Sequence, residues 1–272
     1  MKIVKLLLAT ALIVNLSSCT VTEKMIVNDN GSGKFSYEID GTKMMSMMGS
    51  AFKDEEKPGK KKKAKKERAQ KDIDSTFSFK EMFAGKQDSI AKLPAEEQAK
   101  IKKMEKFNIH MVMNEEKGIM NYTLFTDFNS VAELQDVMSP VESMKSLSPG
   151  GKAGGMGMAP DALKQDNSTK FYYDGKKFSK TLSKLEKKEE AEAEEVMDES
   201  EALAETEKLQ QSLEMFYAQS NFKVVYQFPK PVKKVSVENA LYSADRKTVT
   251  IEYPFKEYIE TPEKASFEVE FE

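Results

Sequence analysis

Apolar and polar residues alternate in several short stretches of the chain. In GKFSYEID the alternating apolar residues are Phe35, Tyr37 and Ile39. A period of two places such side chains on one face of a strand and the intervening Lys, Ser and Glu on the other. The same pattern recurs at Ile109, Met111, Met113; Phe222, Val224, Tyr226, Phe228; Val249, Ile251, Tyr253; and Phe267, Val269, Phe271. It predicts antiparallel strands with one buried and one solvated face.

Glycine-containing dipeptides divide these stretches into hairpins. Asn30-Gly31 separates TEKMIV from GKFSYEI, and Asp174-Gly175 separates KFYY from KKFSKTL. Both dipeptides are typical of a type I′ turn, in which both central residues have positive φ. Gly118 predicts a third hairpin, between NIHMVM and IMNYTLF.

Helical patterns lie between the strands. NSVAELQDVM begins with a capping box of Ser130 and Glu133, and LPAEEQAKIKKMEKF has Pro94 at its start, with Ile101 and Met104 as an apolar stripe. The stretch EALAETEKLQQSLEMFYAQ has a third apolar face. The predicted fold class is therefore α+β, a mostly antiparallel sheet with helices on one face and charged low-complexity insertions.

The first residues have the pattern of an export signal. Lys2 and Lys5 precede an apolar run that extends to Leu16, and at ~1.5 Å per residue this run is too short to span a bilayer. It ends in Leu16-Ser17-Ser18-Cys19, which resembles the lipobox of bacterial lipoproteins. An ordinary cleaved signal followed by a chance cysteine is the alternative interpretation.

The lipobox resemblance implies cleavage between Ser18 and Cys19 and attachment of diacylglycerol, with palmitate-type chains, to the Cys19 sulfur. Residues 1–18 are then the signal peptide, and residues 19–272 form a single α+β envelope domain. Cys19 is the single cysteine of 272 residues. An acylated Cys19 leaves no thiol for disulfides, thiolate catalysis or a cysteine metal site.

Charged residues make up 32% of the chain, but the two signs are segregated. Residues 57–71, here called the basic tract, are followed much later by an acidic run at 186–207, and a glycine-rich stretch occupies 148–160. Such sequences predict flexible insertions near 53–75, 140–168 and 183–207. The candidate anionic-surface ligands in the basic tract are Lys60, Lys61, Lys62, Lys63, Lys65, Lys66 and Arg68.

The basic tract has two interpretations. Near a membrane it is expected to bind anionic lipid headgroups, because each Lys or Arg contributes ~1 kcal/mol there. The alternative is a solvated insertion without a partner, or one that neutralises the acidic run. No aromatic residue interleaves the lysines, and a nucleic-acid partner is not expected.

The side-chain chemistry predicts neither an enzyme nor a cofactor. His110 is the one histidine, so we expect no Ser-His-Asp triad and no histidine metal site, and we nominate no catalytic residue. The methionines Met44, Met45, Met47 and Met48 invite a Cu(I) interpretation, but His110 is expected on the solvated face and methionine is ordinary core filler. The predicted metal content is none.

The C-terminal region resembles LppM-like envelope lipoproteins. In both, a strand ends in a proline turn, here Phe228-Pro229-Lys230-Pro231, and a hairpin follows, here Asp245 to Val249. The resemblance implies an α+β envelope domain that cradles lipid, although this chain lacks the tryptophan and C-terminal membrane helix of that group. The composition is typical of Bacteroidota lipoproteins.

The sequence thus predicts a lipid-anchored, non-enzymatic envelope lipoprotein that serves as a binding or structural module. The alternative is a periplasmic carrier or chaperone for lipid or hydrophobic segments. The residues after Cys19 lack an acidic run of the kind that resembles surface-export tags. The predicted location is therefore the outer membrane, facing the periplasm, with the lipid anchor as the contact to the membrane.

Overall fold

A computed structural model of the chain describes residues 20–42, 72–114, 116–135, 167–184 and 218–272. The strands are β1 Thr20–Val27, β2 Gly33–Asp40, β3 Ile73–Ser78, β4 Asn108–Asn114, β5 Ile119–Phe128, β6 Asn167–Tyr173, β7 Lys177–Lys184, β8 Asn221–Gln227, β9 Val232–Val235, β10 Leu241–Tyr242, β11 Thr248–Pro254 and β12 Phe267–Phe271. The helices are α1 Phe79–Ala84, α2 Gln87–Ile90, α3 Ala95–Met104 and α4 Phe255–Glu260, with 3₁₀ turns at Val131–Leu134 and Pro262–Ala265.

The strands form two sheets. The larger has eight strands in the order β10-β11-β8-β1-β2-β5-β4-β3, and the smaller has four in the order β6-β7-β12-β9. The pairs are antiparallel except for β1 with β8, whose register aligns Thr20 with Asn221. The fold is thus mixed α+β and mainly β, with a mostly antiparallel arrangement as the alternation predicted.

The core lies between the two sheets, where aromatic rings from both meet. Phe178 of β7 contacts Tyr226 of β8 with ring centroids 5.4 Å apart, and Phe171 of β6 lies 6.2 Å from Phe35 of β2. The sequence predicted one sheet covered by helices. The structure instead packs a second sheet against the first, because the Asp174 hairpin and the C-terminal strand pair with each other rather than joining the larger sheet.

Period-two alternation is confirmed in the strands that face the small sheet. Phe222, Val224 and Tyr226 of β8 are fully buried, whereas Lys223 and Gln227 lie on the opposite face. β4 alternates less sharply, since Met111 is buried but its neighbours on the same face are half-exposed. The burial of the large sheet therefore weakens towards β3.

The hairpins occur where the dipeptides predicted them, but the turn type was wrong. Gly31, Gly118 and Gly175 have φ of +80°, +63° and +81°, whereas Asn30 and Asp174 do not have positive φ. The Gly31 amide donates to the carbonyl of Asn28, which closes an ordinary turn before the glycine. In the Asn30 hairpin a left-handed glycine after the turn replaces the type I′ pair, whereas in the Asp174 hairpin Asp174 pairs with Lys177 and Gly175 is the first of two loop residues. One residue in each of these two loops therefore uses the left-handed region.

The helices agree with the sequence in part. α3 follows Pro94 and buries Ile101 and Met104, as its apolar stripe predicted. Ser130 caps its segment by accepting a hydrogen bond from the Ala132 amide, but the described segment is a 3₁₀ turn, and Glu133 pairs with Lys106 instead of closing the capping box. The third predicted helix, at 201–219, lies almost wholly outside the described residues.

Gly33 occupies a site where no side chain fits. A Cβ there would collide with the carbonyl oxygen of Ile26 and lie 2.6 Å from the ring of Phe128. We expect Gly33→Ala to destabilise the protein by more than about 3 kcal/mol, because backbone must move. Gly85→Ala is the matched control, since open space surrounds Gly85, and it is expected within about 1 kcal/mol of wild type. Urea unfolding measures both; equal stabilities would contradict the packing of β1 on β2.

Candidate functional site

A carboxylate lies in the middle of the core. Glu23 occupies an inward position of β1 between Val21 and Met25, and all three are buried. Its register partner across β2 is Tyr37, whose side chain is also inward. The sequence analysis did not select Glu23, although a signal was present: it is a charged residue in the apolar register of a strand.

The charge on Glu23 is met by Lys180, which comes from the other sheet. The Lys180 Nζ lies 2.8 Å from both Oε1 and Oε2 of Glu23, and both side chains are fully buried. Lys180 likewise occupies an inward position of β7, between Phe178 and Leu182. The ion pair therefore joins strands of different sheets that are 157 residues apart in the chain.

Two tyrosine hydroxyls complete the shell of the carboxylate. The Tyr37 hydroxyl donates to Oε2 at 2.5 Å, and the Tyr226 hydroxyl donates to Oε1. Each carboxylate oxygen thus accepts from one tyrosine and from Lys180. Because a buried carboxylate needs several donors to offset its lost hydration, this shell is a coherent polar unit. Glu23, Lys180, Tyr37 and Tyr226 are here called the buried cluster.

Aromatic rings surround the ammonium of Lys180. The Nζ lies 5.3 Å from the centroid of Phe222, 5.7 Å from that of Tyr258 and 6.0 Å from that of Phe171. Phe222 and Tyr258 are themselves stacked, with centroids 3.6 Å apart. Ring faces attract a cation when water is excluded, so the rings both stabilise the charge and shield it from solvent.

Burial shifts the proton affinities of the cluster. Burial lowers the pKa of Lys180, and the Glu23 carboxylate opposes that change. Burial, reinforced by the Glu23 charge, raises the pKa of Tyr37 and of Tyr226 well above the ordinary value. Burial and then Glu23 also raise the pKa of Tyr253 to about 12. Tyr37 and Tyr226 therefore act as neutral donors across the ordinary pH range.

None of the residues selected from the sequence belongs to the buried cluster. Ser18, Cys19, the whole basic tract and the methionines Met44 to Met48 are outside the described residues. His110 is described and lies on the outer face of β4, as predicted. The lipid anchor, the anionic-surface site and the copper interpretation therefore stay predictions from the sequence.

His110 takes part in contacts that the sequence analysis did not expect. Its Nδ1 lies 2.9 Å from the Thr76 hydroxyl, and its Nε2 lies 3.5 Å from Asp74. A hydroxyl, an imidazole and a carboxylate are therefore lined up in space, as in a triad. The set lies on an exposed sheet face, where the Asp74 side chain is 78% exposed. An exposed pair of this kind contributes little to stability.

The start of β1 defines one end of the molecule. β1 begins at Thr20, the residue after Cys19, and it is an interior strand flanked by β2 and β8. Val21 pairs with Ile39 near the end of β2, and Thr20 pairs with Asn221 at the start of β8. This end of the large sheet, where β1 begins, is here called the anchor end.

Both charged insertions leave and return at the anchor end. The segment that contains the basic tract departs after Thr42, beyond the end of β2, and returns at Asp72, whose carboxylate accepts from Asn114 at the end of β4. The segment that contains the acidic run departs after Lys184, at the end of β7. This strand runs towards the anchor end, because Tyr173, just before its hairpin turn, lies beside Gly31 at the opposite end and Lys180 reaches Glu23 in the middle. The chain returns at Ala218, before β8. The topology therefore roots both insertions beside the start of β1.

The described residues form two packed sheets, so the fold belongs to the mainly β, two-sheet class. Comparison with protein families and with curated protein sequences gives no match. Among solved structures, the chain is similar to the folded domain of LppM from Mycobacterium tuberculosis, determined by NMR, with 8% identity and a TM-score of 0.35 over 93% of this chain and 89% of that domain. A likeness at this level does not establish a shared fold.

None of the helices in the described ranges combines the length and the apolar character needed to cross a bilayer.

Removing one partner of the buried ion pair is expected to be costly. Lys180→Met leaves the Glu23 carboxylate in the core without its cation, and we expect a loss of about 3–5 kcal/mol in the free energy of unfolding. The matched control is Lys24→Met on β1, the strand of Glu23, which breaks the exposed pair with Glu38 and is expected to cost less than about 1 kcal/mol. Urea unfolding measures both variants. Similar losses in the free energy of unfolding would contradict a stabilising role of the buried ion pair.

Alkaline pH is expected to destabilise the fold. Tyr37, Tyr226 and Tyr253 keep their protons in the folded state at pH values where unfolded tyrosine, with a pKa near 10, loses them. The unfolded state then binds fewer protons, so the free energy of unfolding falls as pH rises above about 10. For Tyr253 the loss extends to about pH 12.

Lys180 changes the free energy of unfolding in the opposite direction, because its pKa is lowered in the folded state. Its contribution rises with pH and stops changing once unfolded lysine deprotonates near its ordinary pKa of 10.5. Urea unfolding between about pH 8 and 11 measures the balance. The variant Tyr253→Phe is expected to show a shallower fall than wild type. A free energy of unfolding that stays constant across this range would argue against neutral, buried tyrosines.

Proposed function

We propose that this protein is a lipid-anchored, non-enzymatic lipoprotein of the bacterial envelope that serves as a binding or structural module. Its place is the outer membrane, facing the periplasm, with the membrane engaged through acyl chains on Cys19. The observation that carries the proposal is the start of β1 at Thr20, one residue beyond the lipobox cysteine. The first described strand therefore directly follows the proposed attachment residue.

This proximity has a mechanical consequence. A residue or two of chain spans only a few ångströms, at about 3.3 Å per extended residue. An acylated Cys19 therefore holds the anchor end against the bilayer, and the interior position of β1 transmits that attachment to both flanking strands. Two or three acyl chains supply the double signal required for stable anchoring.

The basic tract is proposed to bind anionic lipid headgroups at that same surface. Thr42 and Asp72, the described residues that flank its segment, both lie at the anchor end. From β1 to β3 the sheet spans four strand spacings, about 20 Å in all, so the tract is rooted near the membrane. Each cation there adds ~1 kcal/mol of attraction, which salt weakens.

A second function, as a carrier for lipid or a hydrophobic segment, is favoured by one observation. Phe77, Ile109 and Leu124 are register partners on the same face as Tyr37, and exposure increases along this row from 3% at Tyr37 to 40% at Phe77. The apolar face thus continues beyond the small sheet. Native mass spectrometry of the chain extracted from its own membranes distinguishes the two functions, because a carrier retains lipid.

The substitution Cys19→Ser tests the anchor. We expect the variant to lose its acyl chains and move from the membrane fraction to the soluble fraction, and its precursor to escape lipoprotein processing. Fractionation, metabolic labelling with a palmitate analogue and the mass of the N-terminal peptide measure these changes. A variant that keeps wild-type partitioning and processing would exclude lipidation at Cys19.

The same variant isolates the basic tract, because it retains the lysines without the anchor. The Cys19→Ser chain is expected to bind vesicles that contain anionic phospholipid and to dissociate from them at high salt. It is expected to bind vesicles of neutral phosphatidylcholine only weakly. Replacing the seven candidate cations by glutamine serves as the control. Equal binding to both vesicle types would exclude headgroup recognition by the tract.

A further inference from the structure

The buried cluster has the parts of a self-modification site. We propose that Lys180 and Glu23 condense into an intramolecular amide, so that the mature fold is cross-linked between its two sheets. The Lys180 Nζ is 2.8 Å from each carboxylate oxygen. The two side chains are held there by different sheets, so the reacting groups are kept together without a chain-entropy cost at the moment of reaction.

The step balances without any co-reactant. One ammonium proton of Lys180 passes to a Glu23 oxygen, which gives a neutral amine and a carboxylic acid. The nitrogen lone pair then forms a bond to the carboxyl carbon Cδ, and the C–O bond to the protonated oxygen breaks. A second proton passes from the nitrogen to that oxygen, which departs as water, and an amide N–H remains. No oxidant, reductant or metal enters the reaction.

The surroundings favour each part of that step. The ammonium and the carboxylate have no solvent exposure, and burial lowers the pKa of Lys180, so the neutral amine is more accessible than in water. The hydroxyls of Tyr37 and Tyr226 donate to the two carboxyl oxygens. They are placed to stabilise the oxyanion of the tetrahedral intermediate, as preformed donors do in acyl transfer.

The core also favours the product. An ion pair in a region of low polarity retains two desolvated charges, whereas an amide is neutral and keeps an N–H and a carbonyl for hydrogen bonding. The water produced leaves a region lined by Phe171, Phe222 and Tyr258. The cross-link ties β1 to β7 and does not depend on lipidation of Cys19.

Peptide mapping of the full-length chain tests the proposal. Lipid-free Cys19→Ser protein is purified in its folded state, unfolded and digested with trypsin, which does not cleave after an acylated lysine. We expect the peptide that ends at Lys24 to be joined to Phe178–Lys184, with Lys180 uncut and the pair lighter by one water. Tandem mass spectrometry locates the branch at Glu23 and Lys180.

Two variants separate this bond from other losses of water. Asp174-Gly175 can form a succinimide of the same mass change, so Asp174→Glu is examined and is expected to retain the branched peptide. Lys177→Arg changes an exposed lysine of the same strand and is likewise expected to retain it, whereas Lys180→Arg abolishes it. The branched peptide is also expected to be absent from chain kept unfolded since synthesis.

Peptide mapping of the chain that retains Glu23 and Lys180 decides the proposal by itself. It does not depend on whether the substituted variants fold. Recovery of both tryptic peptides unlinked, with cleavage after Lys180, from protein shown to be folded by its cooperative unfolding would overturn the proposal and leave an ordinary buried ion pair. A water loss that maps to Asp174, with no branched peptide present, would overturn it equally.

Discussion

A charged side chain buried in the middle of a strand requires partners that the strand itself does not provide. Glu23 lies at an inward position of β1, and its partners come from β2, β7 and β8. Hydrogen bonds and an ion pair have narrow distance requirements, unlike apolar packing, which tolerates sliding. The buried cluster therefore fixes how the small sheet is placed on the large one, and the aromatic core around it packs within that placement.

The same strand links the core to the proposed membrane attachment. β1 is interior in the large sheet, it is parallel to β8 and antiparallel to β2, and it begins directly after Cys19. Pull on the anchor would act along a strand that hydrogen bonds hold on both sides and that the Lys180 contact holds from the other sheet. An edge strand in this position would have half of those backbone bonds.

The charged insertions and the apolar row at the β3 side have a common topological origin. Since β1 and β8 begin at one end, and β2 and β7 both run towards it, the connections after Thr42 and after Lys184 both open at the anchor end. The row from Tyr37 to Phe77 emerges from the core because the small sheet has four strands and the large sheet has eight. The two proposed binding surfaces therefore lie at the anchor end and beyond the edge of the small sheet.

Much of the local structure was predictable from residue order. Alternation at Phe222, Val224 and Tyr226, the glycines of the three hairpins and the Pro94 start of α3 each depend on neighbours in sequence, so local rules were sufficient. The turn type failed because the Asn30 hairpin accommodates an extra residue, whereas the Asp174 hairpin has its two-residue loop at Gly175 and Lys176. The short strand β3 was missed, since IDSTFS alternates weakly.

The sequence by itself determined the resemblance of residues 16–19 to a lipobox, the separation of charge into opposite insertions and the fact that Glu23 and Lys180 each interrupt an apolar register. Only the tertiary structure decided that these two residues are partners. They are 157 residues apart, and no local pattern states which strand of a second sheet faces which strand of the first. That assignment depends on the packing of whole sheets, where a carboxylate, an ammonium and two hydroxyls have to meet at hydrogen-bond distance.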